Sequence, residues 1–357
     1  MSADAVRRVK RRMVARMARW TPEEGDAVLY ATSALFAGVT ARFSGLALYR
    51  QWGMLAVGPY LVAAVVSAIV GRRRARAEAV GDRPAGAQRS WNPLRVAVLL
   101  FVLFGATLGP LCLEVAWGHA QPEALTVEQA GTRLANGQDP YQLPVRDGRV
   151  LPVKPGQPVY ESYFPYLPVM TVFGLPASTK EPVRLTDARI FFTLVTLVVV
   201  AGALALYRGP DERRVRTLQV LTVLPTAALP LATGGDDMPV LAFLLLAMVL
   251  AQRRRPGWSG FVLGIVCAMK FTAWPLAALA LFAARTRDGR RAPGRMALGM
   301  LVVLGPVVVP FLARNPHDFI ENVILYPLGL ARVSSPATSP LPGHLLVSAV
   351  PALHRIV

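Results

Sequence analysis

Charge is scarce in this sequence: 17% of its 357 residues are Asp, Glu, Lys or Arg, too few to cover a soluble domain of that length. Acid is scarcer still, with 21 carboxylates against 39 Lys and Arg. Cysteine amounts to Cys112 and Cys267, each inside an apolar run, so neither a disulfide framework nor a zinc site can be built from the pattern. The basic stretch Arg7 to Arg12 lacks the short apolar core and small-residue cleavage site that should follow it in a secretory signal, so the first helix is expected to stay attached. No internal repeat is visible. A single broken hairpin without a counterpart weighs against a lipid or solute transporter, whose midplane site is built from paired broken helices.

What the sequence has instead is apolar length, with 54% hydrophobic residues and a mean hydropathy of +0.42. Runs near the 20 residues needed to cross a bilayer occur at 27 to 47, 51 to 70, 94 to 117, 189 to 207, 217 to 233, 238 to 251 and 295 to 313. Two stretches, 164 to 177 and 257 to 284, have awkward lengths. Basic residues gather between the runs, at Arg72-Arg73-Arg74, Arg213-Arg214 and Arg253-Arg254-Arg255, and form no stripe, which excludes nucleic acid as a partner. Clusters of this kind mark cytoplasmic loops.

The same rule orders the topology, with the N-terminus cytoplasmic. Residues 164 to 177 then form a short helix on the outer face, and 257 to 284 form a hairpin turning near Lys270. The expected fold is an all-α polytopic membrane protein with about eight or nine transmembrane helices and short interfacial or re-entrant ones. Its regions are a basic cytoplasmic N-terminus (1–26), a transmembrane hairpin (27–70), a basic cytoplasmic loop (71–93) and a membrane core (94–345) with an extracytoplasmic loop (118–188). The last segment, 346–357, reads as truncated or as an interfacial tail. A multi-pass protein of a bacterial plasma membrane is the predicted setting, with membrane lipids as its surroundings.

In the outer loop, Thr126 is placed to cap a short helix and Gly137 to close it with a left-handed turn. Asp139-Pro140-Tyr141 then makes a turn, and Tyr163-Phe164-Pro165-Tyr166-Leu167-Pro168 leads into the interfacial stretch. This order, Gly-x-Asp-Pro-Tyr and then Tyr-x-Pro-x-Leu-Pro after a helix, resembles the GT-C superfamily of polyprenyl-phosphate-sugar-dependent glycosyltransferases, and within it glycosyltransferase family 87, which is mannosyltransferase-like. Gly260 to Lys270 followed by Trp274-Pro275 is similar to that family's Gly-rich half-helix, and Gly234-Gly235-Asp236-Asp237 stands where the family has a polar loop. The resemblance covers roughly residues 94 to 345.

It implies transfer of a hexose, mannose above others, from a polyprenyl-phosphate carrier to a glycan or glycolipid acceptor outside the membrane. No cofactor is required and no metal is expected. Such transfer needs a carboxylate to take the acceptor proton and cations to steady the leaving phosphate. The family's base is an Asp; the matching position carries Glu123, with Glu128 as competitor. An ionisable side chain inside a membrane segment is costly and tends to face a cavity or a partner, which selects Lys270 for the donor phosphate; Arg314 and His317 are its candidate helpers. Asp236 and Asp237 are candidates for an acceptor hydroxyl, and Asp139 and Tyr141 for positioning the loop, with the Tyr141 ring as a sugar platform. The alternative is a catalytically inactive scaffold, which the Glu-for-Asp departure favours.

Overall fold

Thr21 opens the first helix with a reciprocal cap: its hydroxyl accepts the Glu24 N–H at 3.2 Å, and the Glu24 carboxylate accepts the Thr21 N–H at 2.9 Å. Two donors that a helix start would leave orphaned are thereby satisfied. Pro22 takes the first helical position, where a missing N–H costs nothing, and Pro93, Pro122, Pro225 and Pro256 repeat the device. The computed structural model describes residues 21–80, 91–179 and 182–334. The basic run Arg7 to Arg12 and the segment 346–357 lie outside these residues.

Helix α1 (Pro22–Phe43) packs along α2 (Ala47–Ala79), and α3 (Pro93–Trp117) carries a π-helical stretch at Leu103–Leu108. Outside the bundle lie α4 (Pro122–Ala135), a two-stranded hairpin pairing Val145 with Val150 and Arg146 with Arg149, and a 3-10 stretch, Pro168–Ser178. Then follow α5 (Ala188–Leu206), α6 (Asp211–Thr222), α7 (Pro225–Thr233), α8 (Asp237–Gln252), α9 (Pro256–Cys267), α10 (Trp274–Asp288), α11 (Ala292–Arg314) and the short α12 (Pro316–Ile320). One core joins α1, α2, α3 and α7 around Trp52 and Tyr60. A larger one joins α4, the 3-10 stretch, α5 and α8 to α11.

Glycine sets how closely these elements meet. A Cβ on Gly260 of α9 would stand 2.0 Å from the Met296 carbonyl oxygen of α11, and one on Gly299 of α11 would stand 2.3 Å from that of Gly257. The two helices therefore touch backbone to backbone, the way small residues let membrane helices associate where no hydrophobic force drives them together. Gly174 does the same for the outer layer: a Cβ there would stand 2.0 Å from the Val127 carbonyl oxygen of α4.

The bundle has two unlike ends. At one, the Arg74, Arg95, Arg216, Arg253, Arg254 and Arg287 side chains meet the helix termini near residues 21–26, 206–212, 252 and 288. At the other lie α4, the hairpin, the 3-10 stretch, the turn at Gly234, the break at Lys270 and α12.

Several expectations are corrected. Five described helices are long and apolar enough to cross a bilayer, by length and composition, and the count of eight or nine is not reached: Ala47–Ala77, Pro93–Trp117, Ala188–Leu206, Asp211–Thr233 and Ala292–Arg314. The shortfall has physical causes. The run 27 to 47 begins in a helix whose first turns carry Glu23, Glu24 and Asp26. Asp237–Gln252 and Pro256–Cys267 are apolar but short. Asp211–Thr233, one of the five, is interrupted at Val223 and Leu224, ahead of Pro225, because the residue before proline is pushed out of helical geometry. Thr126 is not the cap of α4: the helix starts at Pro122, and the Thr126 hydroxyl donates back to the Pro122 carbonyl at 2.8 Å. Gly137 does take the left-handed turn, at φ +72°.

Candidate active site

The site at the loop end is set by three helix termini. Gly234, at φ +116°, stops α7, and its N–H and that of Gly235 both return to the Pro230 carbonyl. The chain re-enters a helix at Asp237, so Asp236 and Asp237 stand at a helix N-terminus, where the dipole favours carboxylates. Across from them, α9 ends at Cys267, and the backbone carbonyls of Ala268 and Met269 accept from Val169 and Leu167, each at 2.9 Å. This pairing brings Tyr166 beside Lys270.

Lys270 is held between the two acids, its Nζ 2.7 Å from Asp236 Oδ1 and 2.5 Å from Asp237 Oδ1, and 5.0 Å from the centre of the Tyr166 ring. Burial disfavours the charged lysine, yet the two carboxylates outweigh it and hold the ammonium above its ordinary value. Asp236 is buried, and its Oδ2 has no hydrogen-bond partner. Desolvation pushes its carboxyl up against the pull of Lys270. Asp237, by contrast, leaves 67% of its side chain exposed.

Glu123, in the first turn of α4, faces this cluster. Burial raises its carboxyl above the glutamate value, Asp236 and Asp237 add to the rise, and Lys270 opposes them. Glu128 points elsewhere: its Oε1 accepts the Ala188 N–H at 2.9 Å, which caps the start of α5. The two candidate bases are thus separated by the fold, one beside the lysine and one on a helix end.

Asp139, Tyr141, Arg314 and His317 form a second constellation. Asp139 accepts the Tyr141 N–H at 3.0 Å and the Asn315 side-chain amide at 3.1 Å; the Asn322 amide donates to the Tyr141 carbonyl at 3.0 Å. Phe164, Phe311 and Phe319 crowd the buried Tyr141 ring, which leaves no face for a sugar. Its hydroxyl donates to the Tyr166 carbonyl at 3.0 Å. Arg314 reaches the Gly137 carbonyl at 3.4 Å, and His317 lies 3.1 Å from Asp318. His317, Asp318 and Glu321 hold ligand atoms within 4.8 Å of one another, a geometry that suits a metal ion, but Arg332 already stands 3.1 Å from Glu321. This constellation braces the loop over the site.

Sequence reasoning missed Tyr166, Asn315, Asn322 and Glu321 as parts of the site. Tyr166 lay inside a quoted motif; the other three carried no signal, because the partners that join them to the loop, Asp139, Tyr141, Tyr163 and Phe164, are 150 or more residues away in the chain.

A model of glycosyltransferase family 87 matches residues 164–353, more than half of the chain. The chain belongs to glycosyltransferase family 87. No curated protein and no solved structure matches it. Family 87 membership and the apolar helices make it a multi-pass integral membrane glycosyltransferase, with a sugar donor and a glycan acceptor as its substrates. Tyr166, Asp236, Asp237, Lys270, Arg314 and His317 fall within the matched segment, whereas Glu123, Glu128, Asp139 and Tyr141 precede it.

Proposed function

We propose that this family 87 enzyme transfers a hexose, mannose in our reading, from a polyprenyl-phosphate carrier to a glycan or glycolipid acceptor at the loop end of the bundle. The loop end faces away from the cytoplasm, since arginines gather at the other. The observation that carries the reading is the placement of Glu123 within electrostatic reach of a lysine held between two aspartates.

Glu123 takes the proton of the acceptor hydroxyl as its oxygen bonds to the anomeric carbon; the bond from that carbon to the phosphate oxygen breaks, and polyprenyl phosphate leaves. A carboxyl raised by burial is a better proton acceptor at neutral pH than an ordinary glutamate. Asp236 and Asp237 accept hydroxyls of the incoming sugar. Because Asp237 is largely exposed, it can yield Lys270 to the phosphate, whose charge grows as the donor bond breaks. Phe271 and Trp274 stay exposed next to Lys270, which lets a polyprenyl tail remain in lipid while its phosphate reaches the lysine. Glu128 caps α5, and Arg314 and His317 brace the loop, so we assign them no part in the chemistry.

The test is transfer from radiolabelled polyprenyl-phosphate mannose in membranes containing the wild type or Glu123→Gln. We expect the substitution to lower the rate about 10²- to 10⁴-fold at unchanged membrane insertion. A well-inserted wild type that transfers none of several hexoses would overturn the proposal in favour of an inactive scaffold.

A further inference from the structure

The arginine-rich end of the bundle holds two cavities that the transfer reaction does not use. The first, 530 Å³, is walled by Leu204, Tyr207 and Leu245 and rimmed by Arg213, Arg216 and Arg287. The second, 370 Å³, is almost wholly apolar, between Leu244, Leu263, Leu276, Leu279 and Met296. Met248 and Arg287 line both, so the two are neighbours. The arginine-rimmed cavity lies near the Gln252 end of α8, about 24 Å from its Asp237 end at the helical rise of about 1.5 Å per residue, and the apolar cavity runs from Arg287 and Asp288 along α10 toward Leu276.

The rim has cationic capacity to spare. Its one acid, Glu212, is already bonded to Arg95 at 2.6 Å and to Arg216 at 2.9 Å. The Arg213 side chain makes no hydrogen bond or ion pair within the described residues, and the Arg287 side chain makes a single bond, to the Gln252 carbonyl at 3.3 Å. The acid of the apolar cavity, Asp288, faces Arg254 at 3.5 Å.

We propose that the paired cavities bind one anionic phospholipid, with its phosphate between Arg213 and Arg287 and an acyl chain in the apolar cavity beyond Met248. Charge and shape select that occupant together. A free anion satisfies the guanidiniums and leaves the apolar walls uncovered; a zwitterionic lipid covers the walls but brings a cation to an already cationic rim. A phosphate and a hydrocarbon chain on one molecule suit both. The site is independent of the transfer reaction and stands whatever the donor sugar.

The experiment is native mass spectrometry of the purified full chain in detergent, titrated with phosphatidylglycerol, with phosphatidylcholine of the same acyl chains, or with glycerol 3-phosphate. We expect phosphatidylglycerol to be retained in preference to phosphatidylcholine, and glycerol 3-phosphate neither to bind nor to displace it. Arg213→Ala should weaken phosphatidylglycerol about fivefold, and Arg213→Ala with Arg287→Ala about 25-fold, since a basic residue near an anionic lipid contributes about fivefold. Equal retention of the two lipids, binding of glycerol 3-phosphate as tight as that of the lipid, or unchanged affinity in the double variant overturns the proposal. Should the double variant lose its fold, the comparison of the three ligands on the wild type decides alone.

Discussion

Asp26 and Asp236 are both buried aspartates at helix ends, on opposite faces of the same bundle, and they are treated in opposite ways. Asp26 is saturated: Arg95 donates through Nε at 2.5 Å and through a second nitrogen at 3.1 Å, Gln219 donates at 2.9 Å, and Arg216 donates as well. Arg95 and Arg216 also bond Glu212, so α1, α3 and α6 are tied into one network. Asp236 has Lys270 on one oxygen and the Tyr166 hydroxyl as its other polar neighbour, against the four donations that Asp26 receives. A carboxylate whose acceptor sites are filled holds helices together; one left partly unfilled keeps capacity for a ligand. The fold surrounds Asp26 with donors where helices are fastened and gives Asp236 a single cation where we place the chemistry.

The contrast can be broken most forcefully at Asp26. Asp26→Ala leaves the buried Arg95 with Glu212 as its acid partner and removes the charge that ties Arg216 to α1, and we expect a loss of about 3–5 kcal/mol in unfolding stability, measured by thermal or denaturant unfolding in detergent. Asp236→Asn should leave that stability much closer to the wild type; equal losses at the two positions would erase the distinction. Next in size, Gly260→Val forces a branched side chain against the Met296 carbonyl, and overpacking of this kind costs about 1–3 kcal/mol in the same unfolding experiment. A smaller effect is expected at Glu128→Ala, which removes one of the two carboxylates that cap α5, the other being Asp187, for about 1 kcal/mol while transfer persists in the radiolabel assay. Abolished transfer in a stable Glu128→Ala enzyme would return the base to Glu128.

The pH profile sharpens the comparison without unfolding anything. As the proposed base, Glu123 would act only when deprotonated, and burial together with the neighbouring aspartates raises its carboxyl. Transfer should therefore rise with pH through a value above that of an ordinary glutamate and fall away below it. Asp236→Asn removes a negative neighbour and frees Lys270 to favour the Glu123 anion, so the acid limb of the rate profile should move to lower pH. A limb that stays in place would separate Glu123 from the cluster.

Much of this was legible in the chain. Apolar runs interrupted by arginine clusters gave the helical membrane bundle, since nothing else satisfies a backbone in lipid. Gly260, Lys270, Trp274 and Pro275 marked the broken hairpin, because a glycine stripe and then a lysine and a proline cannot continue one buried helix. Glu123 and Glu128 could not be ranked: they lie five residues apart on one short helix, and their roles depend on what packs against each side. The aromatic Tyr141 read as a sugar platform because exposure is not written in residue type; three phenylalanines from distant segments cover it.

By itself, then, the sequence determined the solvent, the helical class, the clustering of arginine and the family, all of which follow from local composition and short motifs. Only the tertiary structure decided which acid faces Lys270, that Asp26 is saturated while Asp236 is not, and that two cavities adjoin at the arginine-rich end. Each of these depends on side chains tens to hundreds of residues apart, and their distances are fixed by helix packing and close glycine contacts that no local pattern encodes.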